Sequence, residues 1–207
     1  MSSGLVDALI IGAGCVGLST ALTLLEAGLR PAVWAARTAR GTTSAAAGAI
    51  WAPYELEPLE PVRRWREHTY RMLSRMADHP GTGVRLVRGV EASRTTVAGG
   101  TRGEHPGGHT PCDPGELPPG YASGARVTVP LVDMPVYLAH LEGRLADAGV
   151  TVQPRRIESL AEAAGHAPVV VNCTGIGPVA HSMLWQRIAA IRTVLPELRQ
   201  PARDTVD

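Results

Sequence analysis

Residues 7–34, reading DALIIGAGCVGLSTALTLLEAGLRPAVW, constrain this chain more than any other stretch. An apolar run at 8–11 leads into Gly12-Ala13-Gly14-Cys15-Val16-Gly17, then a helical pattern, then a second short apolar strand. Each glycine of a GxGxxG loop has its own task. Gly12 lets the chain turn sharply off the strand, Gly14 lets a pyrophosphate approach the backbone, and Gly17 lets the helix pack close to the strand. The first-turn N–H groups of such a helix lack intrahelical partners, so with the helix dipole they attract an anion. Leu18, Ala21, Leu22 and Leu25 recur at helical spacing and are expected to face a sheet. Gly28 follows, where a left-handed cap belongs.

The motif alone is weak evidence in a chain rich in Gly and Ala. Its context is what specifies a nucleotide-binding βαβ unit: strand before, helix after, second strand following. The competing readings are a leader peptide or a membrane span, because 8–25 is almost uncharged. Against them, no basic residue precedes the apolar run, Asp7 stands where one would be, and three glycines interrupt it.

Composition narrows the function classes. The 207 residues are enough for a core of ordinary size, as one domain or a split pair. A net charge of +1 gives no overall field to recruit nucleic acid or an anionic membrane. Every basic residue is Arg; without Lys there is neither Schiff-base chemistry nor a Walker-type phosphate lysine. Cys15, Cys112 and Cys173 show no metal spacing and read as reduced thiols of a cytoplasmic protein.

Past the second strand, a dinucleotide site places an acid about 20 residues beyond the glycines to hold ribose hydroxyls. Here stand Ala35, Ala36 and Arg37. An Arg there suits a 2′-phosphate, which keeps NADP as the rival ligand. Residues 41–54, GTTSAAAGAIWAPY, combine small residues with the hydroxyls of Thr42, Thr43 and Ser44. Backbone can come close to a flat ligand there, and an Ala-rich helix start is the alternative. Residues 61–77 predict a helix with Val62, Trp65, Thr69, Met72 and Met76 on one face and Arg63, Arg64, Arg66 and Arg71 on a solvated one. Residues 84–90 read as a strand weakened at Gly89. Residues 92–124 read as a solvated loop, disordered or a variable insertion; His105, His109 and Cys112 lack a fourth ligand, so no metal site is assigned. A strand over 126–132 follows, with Val127 and Val129 on one face. Then come a helix capped by Asp133 and carrying Met134, Leu138, Leu141, Leu145 and Ala148, and a short strand at 151–153. A hairpin-like return through 155–157, a short helix at 158–165 and a fully apolar strand at 169–172 complete the pattern. That last strand ends in Cys173-Thr174-Gly175, presenting backbone where ligands bind in α/β folds.

The segments IIGAGCVGLSTALTL, TTSAAAGAIWAPY, ELPPGY with RVTVPLVDMPVYLAHLEGRLADAGV, and VVVNCTGIG together resemble the D-amino-acid oxidase family of FAD-dependent oxidoreductases, especially its bacterial members. The resemblance covers most of residues 5–177. It implies a Rossmann-like α/β fold, a parallel sheet with flanking helices, joined to part of a β-rich substrate domain. The FAD-binding domain is expected at 5–78 and 131–177, the partial substrate domain at 79–130, and an atypical tail at 178–207. The implied FAD contacts are Gly12, Ala13, Gly14, Cys15, Val16 and Gly17 at the pyrophosphate, and Thr42, Thr43, Ser44 and Gly48 beside the flavin. Ile157 lies at the adenine end and Thr174 and Gly175 under the cofactor, with Arg37 added at the missing-acid position. The implied reaction passes the α-hydrogen of a D-amino acid to the flavin as hydride. The imino acid hydrolyses to a keto acid and ammonia, and oxygen is reduced to hydrogen peroxide. The partners are thus a D-amino acid and molecular oxygen, with a homodimer as the assembly allowed.

Three departures accompany the resemblance: the acid near Ala36 is absent, the loop at 92–115 fits poorly, and the family's later segments, with their substrate-gripping Tyr and Arg, do not follow. Residues 178–207 instead carry an Arg-studded amphipathic pattern of Leu184, Ile188, Ile191, Leu195 and Leu198. The chain therefore reads as a truncated or frame-shifted member, with His68, His140 and His181 unsuited as bases and no catalytic residue assigned.

Overall fold

The computed structural model describes residues 6–53, 56–100 and 103–175. The amphipathic pattern of 178–207, His181 and Tyr54 lie outside the described residues. Two compact units divide the chain: one holds the described residues up to Ala45 and from Leu141 onward, the other Ala46–His140.

In the first unit, β1 (Ala8–Ile11), β2 (Pro31–Ala35), β7 (Val152–Pro154) and β8 (Val169–Asn172) form a parallel sheet in the order β7-β2-β1-β8. Leu9, Ile10 and Ile11 stand beside Ala32, Val33 and Trp34 on one flank and beside Val170, Val171 and Asn172 on the other. A strand so enclosed must be apolar on both faces, and all of β1 is buried. The helix α1 (Cys15–Glu26) packs on β1 and β2, burying Leu18, Ala21 and Leu22 as their spacing predicts. Its end turns through Gly28 at φ +78°, with the Gly28 and Leu29 amides donating to the Leu25 and Leu24 carbonyls. On the sheet's other face, α4 (Leu160–Ala164) closes a cluster of Leu9, Ile11, Trp34, Ile157, Leu160, Ala163 and Ala167. Ser159 caps α4 by accepting the Glu162 amide.

No hairpin returns after β7. Its register with β2 is parallel, and the Arg155 amide continues it by donating to the Ala35 carbonyl at 3.0 Å. Ile157 then drops into the core instead of pairing, because the apolar cluster under α4 needs its side chain.

The second unit is built on β6 (Ser123–Val132), flanked on one side by β4 (Val84–Ser93) and on the other by β3 (Ala49–Ile50) and β5 (His109–Pro111), all antiparallel. The strand expected at 84–90 thus extends to Ser93. Gly89 pairs with Val127 within an unbroken ladder and does not end it. Ala125, Val127 and Val129 form the buried alternate positions of β6.

Among the described residues, 92–124 is not a solvated loop throughout, although most of 112–122 is exposed. β5 pairs with β6, and His105 is buried, with Nε2 2.9 Å from Glu91 Oε2. Glycines make this close approach possible: a Cβ on Gly107 would stand 2.0 Å from the Tyr70 hydroxyl oxygen, and one on Gly100 2.1 Å from the Gly124 carbonyl.

The long helix α2 (Leu59–Ala77) packs on β4 and β6 of this unit, whereas the sequence reading places it with the first. It starts two residues before Pro61, within the first turn where Pro lacks no needed donor. Its inward stripe also differs from the one expected. Tyr70 and Leu73 are buried, whereas Trp65 is 63% and Met72 38% exposed. The Tyr70 hydroxyl donates to the Thr128 carbonyl at 3.1 Å and its ring meets Trp51 edge-on at 5.0 Å, and these contacts set the helix's rotation. The division between the units falls within α3 (Met134–Asp147), which Asp133 caps and which buries Met134, Leu138, Leu141 and Leu145; Ala148 is exposed.

Candidate functional site

The chain runs from β1 to β2 on one flank of the sheet and later adds β8 on the other, so connections diverge at β1. Ligands in open α/β sheets bind at the carboxyl ends of strands beside such a point. The glycine loop stands there. The Gly12 amide donates to the Trp34 carbonyl at 2.8 Å, and the Cys173 amide donates to the Ile11 carbonyl at 2.8 Å, tying the loop to both neighbouring strands.

Gly12 adopts φ +119°, and a Cβ there would lie 2.3 Å from the Cys173 carbonyl oxygen. A Cβ on Gly17 would lie 2.0 Å from the Gly12 carbonyl oxygen. Both glycines are thus consumed by backbone contacts inside the fold. Gly14 differs. It is the N-cap of α1, in ordinary extended geometry, and a Cβ there would meet only the Ser44 side chain, with Oγ at 3.0 Å. The open face of the loop is therefore at Gly14.

Gly14 offers no capping side chain and no acid lies in the first turn of α1, so no negative charge of the helix itself offsets the dipole's positive end. One first-turn amide is engaged: Cys15 N–H donates to Ser44 Oγ at 3.1 Å. Ser44 lies in a 3-10 turn, Thr43–Ala46, which follows another at Ala39–Gly41, and Thr42 Oγ1 donates to the Ala39 carbonyl at 2.6 Å. Val16, at 67% exposure, is an apolar side chain left open beside the loop.

The thiols here are shifted away from the reactive thiolate form. Burial pushes the Cys15 thiol up, offset in part by a hydrogen bond with Ser19; burial likewise raises Cys173, offset by Thr20. All three cysteines are free. Among the described residues no group of three or more His, Cys, Asp or Glu could hold a metal ion. No helix among them is long and apolar enough to cross a membrane.

Of the sequence-derived candidates, the structure brings Gly12, Gly14, Cys15, Gly17 and Ser44 together. Ala13 is buried within the loop. Thr174 follows β8, its amide and hydroxyl both donating to Asn172 Oδ1 at 3.2 and 2.8 Å, and Gly175 takes φ +64°. Thr43 and Arg37 are exposed, and the Arg37 carbon chain lies against Gly41. Gly48 belongs to the second unit. Ile157 is a core residue, so only its main chain can serve a ligand. A cluster that sequence patterns did not reveal sits past β2 and β7: Trp34, Gln153, Arg155 and Glu162. Its only sequence signal is a tryptophan at a strand's carboxyl end.

A cradle whose two flanking glycines are packed on backbone, whose middle one is open, and which runs into the N-terminus of α1 fits a pyrophosphate. These features define a dinucleotide-binding α/β protein. The chain belongs to the FAD dependent oxidoreductase family, which it matches over residues 7–203. It is similar to the D-amino-acid oxidase of Rubrobacter xylanophilus, 42% identical over 170 residues, covering 82% of this chain and 52% of the relative. It is also similar to the D-amino-acid oxidase of Streptomyces coelicolor, 39% identical over 175 residues, covering 83% of this chain and 52% of the relative. The chain spans about half the length of these curated relatives. Two solved structures share the fold. The L-amino acid deaminase of Proteus myxofaciens, in complex with anthranilate, has a TM-score of 0.56 at 20% identity over 73% of this chain and 38% of that one. An FAD dependent oxidoreductase of Pseudomonas aeruginosa has a TM-score of 0.54 at 23% identity over 89% and 51%.

Proposed function

We propose that this chain is the FAD-binding portion of an amino acid oxidase that acts on D-amino acids with oxygen as electron acceptor. The observation that carries the dinucleotide site is the division of labour among the glycines, in which Gly12 and Gly17 close the loop on itself and Gly14 leaves it open; membership of the FAD dependent oxidoreductase family makes the dinucleotide FAD. Identity to D-amino-acid oxidases supports the substrate class. The first-turn amides of α1 and the backbone at Gly14 hold the pyrophosphate; Ser44 fixes the loop that presents them. Thr42, Thr43, Thr174 and Gly175 offer hydroxyls and main-chain groups along the same carboxyl edge, Gly48 is assigned to the flavin side, and the Ile157 main chain serves the adenine end. Bound FAD supplies the two-electron oxidation of a C–N bond, which no side chain can perform. Three free thiols suit a reducing compartment, and we place the protein in the cytoplasm.

Purified protein titrated with FAD is expected to take up flavin with a shifted visible spectrum and a raised melting temperature, since a ligand of the folded state stabilises it. NADPH is expected to leave the melting temperature unchanged. Where the FAD-loaded protein forms peroxide, D-alanine and not L-alanine is the expected substrate. Stabilisation by NADPH but not by FAD would overturn the cofactor assignment, and peroxide from the L-enantiomer alone would overturn the substrate class.

A further inference from the structure

Just past the carboxyl ends of β2 and β7 lies a layered cluster that the contacts above do not use. Trp34 is 5% exposed, on the sheet face closed by α4, and its indole N–H donates to Gln153 Oε1 at 2.9 Å. Arg155, anchored by its amide to the Ala35 carbonyl, places its guanidinium carbon 3.8 Å from the centre of the Trp34 ring. At that separation the planar group lies against the indole face. Its Nη2 donates to Glu162 Oε1 at 3.0 Å, and Glu162 is in turn fixed by accepting the Glu158 amide through Oε2.

A surface ion pair needs no aromatic floor, and a buried indole with its N–H satisfied needs no cation above it. Combined, they hold a guanidinium plane by one face and one edge. The Arg155 side chain is 38% exposed, which leaves part of it open to a ligand. Guanidinium planes held in this way stack nucleobases. The place is also significant. In a fold with a glycine loop after its first strand, the adenosine half of a dinucleotide lies over the end of the second strand. That end carries Ala35 and Ala36, so no carboxylate holds the ribose and the adenosine must gain its hold otherwise.

We infer that Arg155, clamped between Trp34 and Glu162, is a stacking platform for the purine of the bound dinucleotide. Arg155 is a positioning residue for the adenosine half and takes no part in the redox step. The inference rests on the FAD reading above. It makes planarity, not charge, the property that matters: lysine keeps the cation but offers no plane.

The test uses the whole chain and two probes, FAD followed by flavin fluorescence and ADP followed by calorimetry. ADP carries the purine and pyrophosphate without the flavin. Stacking of a base on a planar side chain supports a loss of roughly ten-fold in affinity when that side chain is removed. Arg155→Ala and Arg155→Lys are both expected to weaken FAD and ADP by about that factor. Where Arg155→Ala lowers the melting temperature, Arg155→Lys carries the comparison. Unchanged affinities in both variants would overturn the platform, as would full affinity in Arg155→Lys, which would make the contribution one of charge. Wild-type protein that binds neither FAD nor ADP would instead overturn the FAD reading beneath it.

Discussion

Gly17 faces Gly12 so closely that a Cβ on Gly17 would stand 2.0 Å from the Gly12 carbonyl oxygen. Backbone cannot yield there without moving α1 off β1. Gly17→Ala is therefore expected to cost about 3 kcal/mol or more, by overpacking a rigid contact. Gly14→Ala should differ in kind, because its Cβ meets only the Ser44 hydroxyl and its φ of −78° suits any residue. That variant is expected to fold with a melting temperature lowered by no more than the about 2–4 °C that loss of the Ser44 contact costs, and to bind FAD weakly. Parallel melting and flavin titration separate the two; a Gly14→Ala protein that unfolds but a Gly17→Ala protein that does not would contradict the assignment.

Ser44 acts as a cap lent to α1 from 29 residues away, through its hydroxyl on the Cys15 amide. Removing a capping hydroxyl costs about 1 kcal/mol. For a chain of this size that corresponds to a melting temperature lower by about 2–4 °C for Ser44→Ala. Ser44→Thr retains the hydroxyl and is expected to recover part of the loss. A melting curve unchanged in Ser44→Ala would show that the contact contributes nothing to the fold.

What the sequence disclosed follows the range of its interactions. β1, α1 and β2 were legible because apolar runs, helical spacing and Gly28 all act locally. The strand ending at Asn172 was legible because its three valines form an unbroken apolar run, although the strand is half-buried at the end of the sheet order. α2 was found as a helix but with its stripe misplaced. Its rotation is decided by Tyr70 on Thr128, 58 residues apart, and spacing within the helix does not encode that. The stretch at 92–124 looked structureless because Gly and Pro usually solvate, yet here glycine is what lets Gly100 and Gly107 lie on β6 and Tyr70. At the candidate site the loop could be read, but the Trp34–Arg155 stack could not, since its members are 121 residues apart and meet only through parallel pairing of β2 with β7.

Asp7 receives three hydrogen bonds from Arg30, one from its main chain and two from its guanidinium, at 2.8–2.9 Å. The guanidinium bonds come first in holding the Asp7 carboxyl down at about 2, from an ordinary 3.8. Because the folded value is depressed, the contribution is fully present above pH 3.8 and is lost as pH falls toward 2. Chemical denaturation should therefore show wild type more stable than Asp7→Asn at pH 6, with the gap closing between pH 4 and 2. A gap that is constant over that window would rule out the carboxylate as its source.

In the second unit, Tyr70→Phe removes the donor to the Thr128 carbonyl while leaving the ring on Trp51. Loss of one such bond is expected to cost about 1 kcal/mol, read as a lower denaturation midpoint. Gly107 adds a sharper contrast. Its missing Cβ is what admits the Tyr70 hydroxyl, so Gly107→Ala should destabilise more than Tyr70→Phe. In the double variant the clash is relieved in part, and the two costs should fall short of their sum. Strict additivity would place the contact elsewhere.

Cys15 and Cys173 give a direct readout of the glycine loop, since one opens α1 and the other follows β8 beside Gly12. Burial raises both thiols, which lowers the reactive thiolate fraction near neutrality. In a Cys112→Ala background, an aromatic disulfide reagent at pH 7 is expected to label the folded protein at least about ten-fold more slowly than the unfolded chain. Raising the pH should accelerate labelling steadily, without the plateau near pH 7 that a low-pKa thiol shows. Saturating FAD should slow Cys15 further, because the cofactor covers the loop from which the reagent approaches. Native labelling as fast as in denaturant would mean that the loop is open in solution, and with it the cradle on which the cofactor assignment stands.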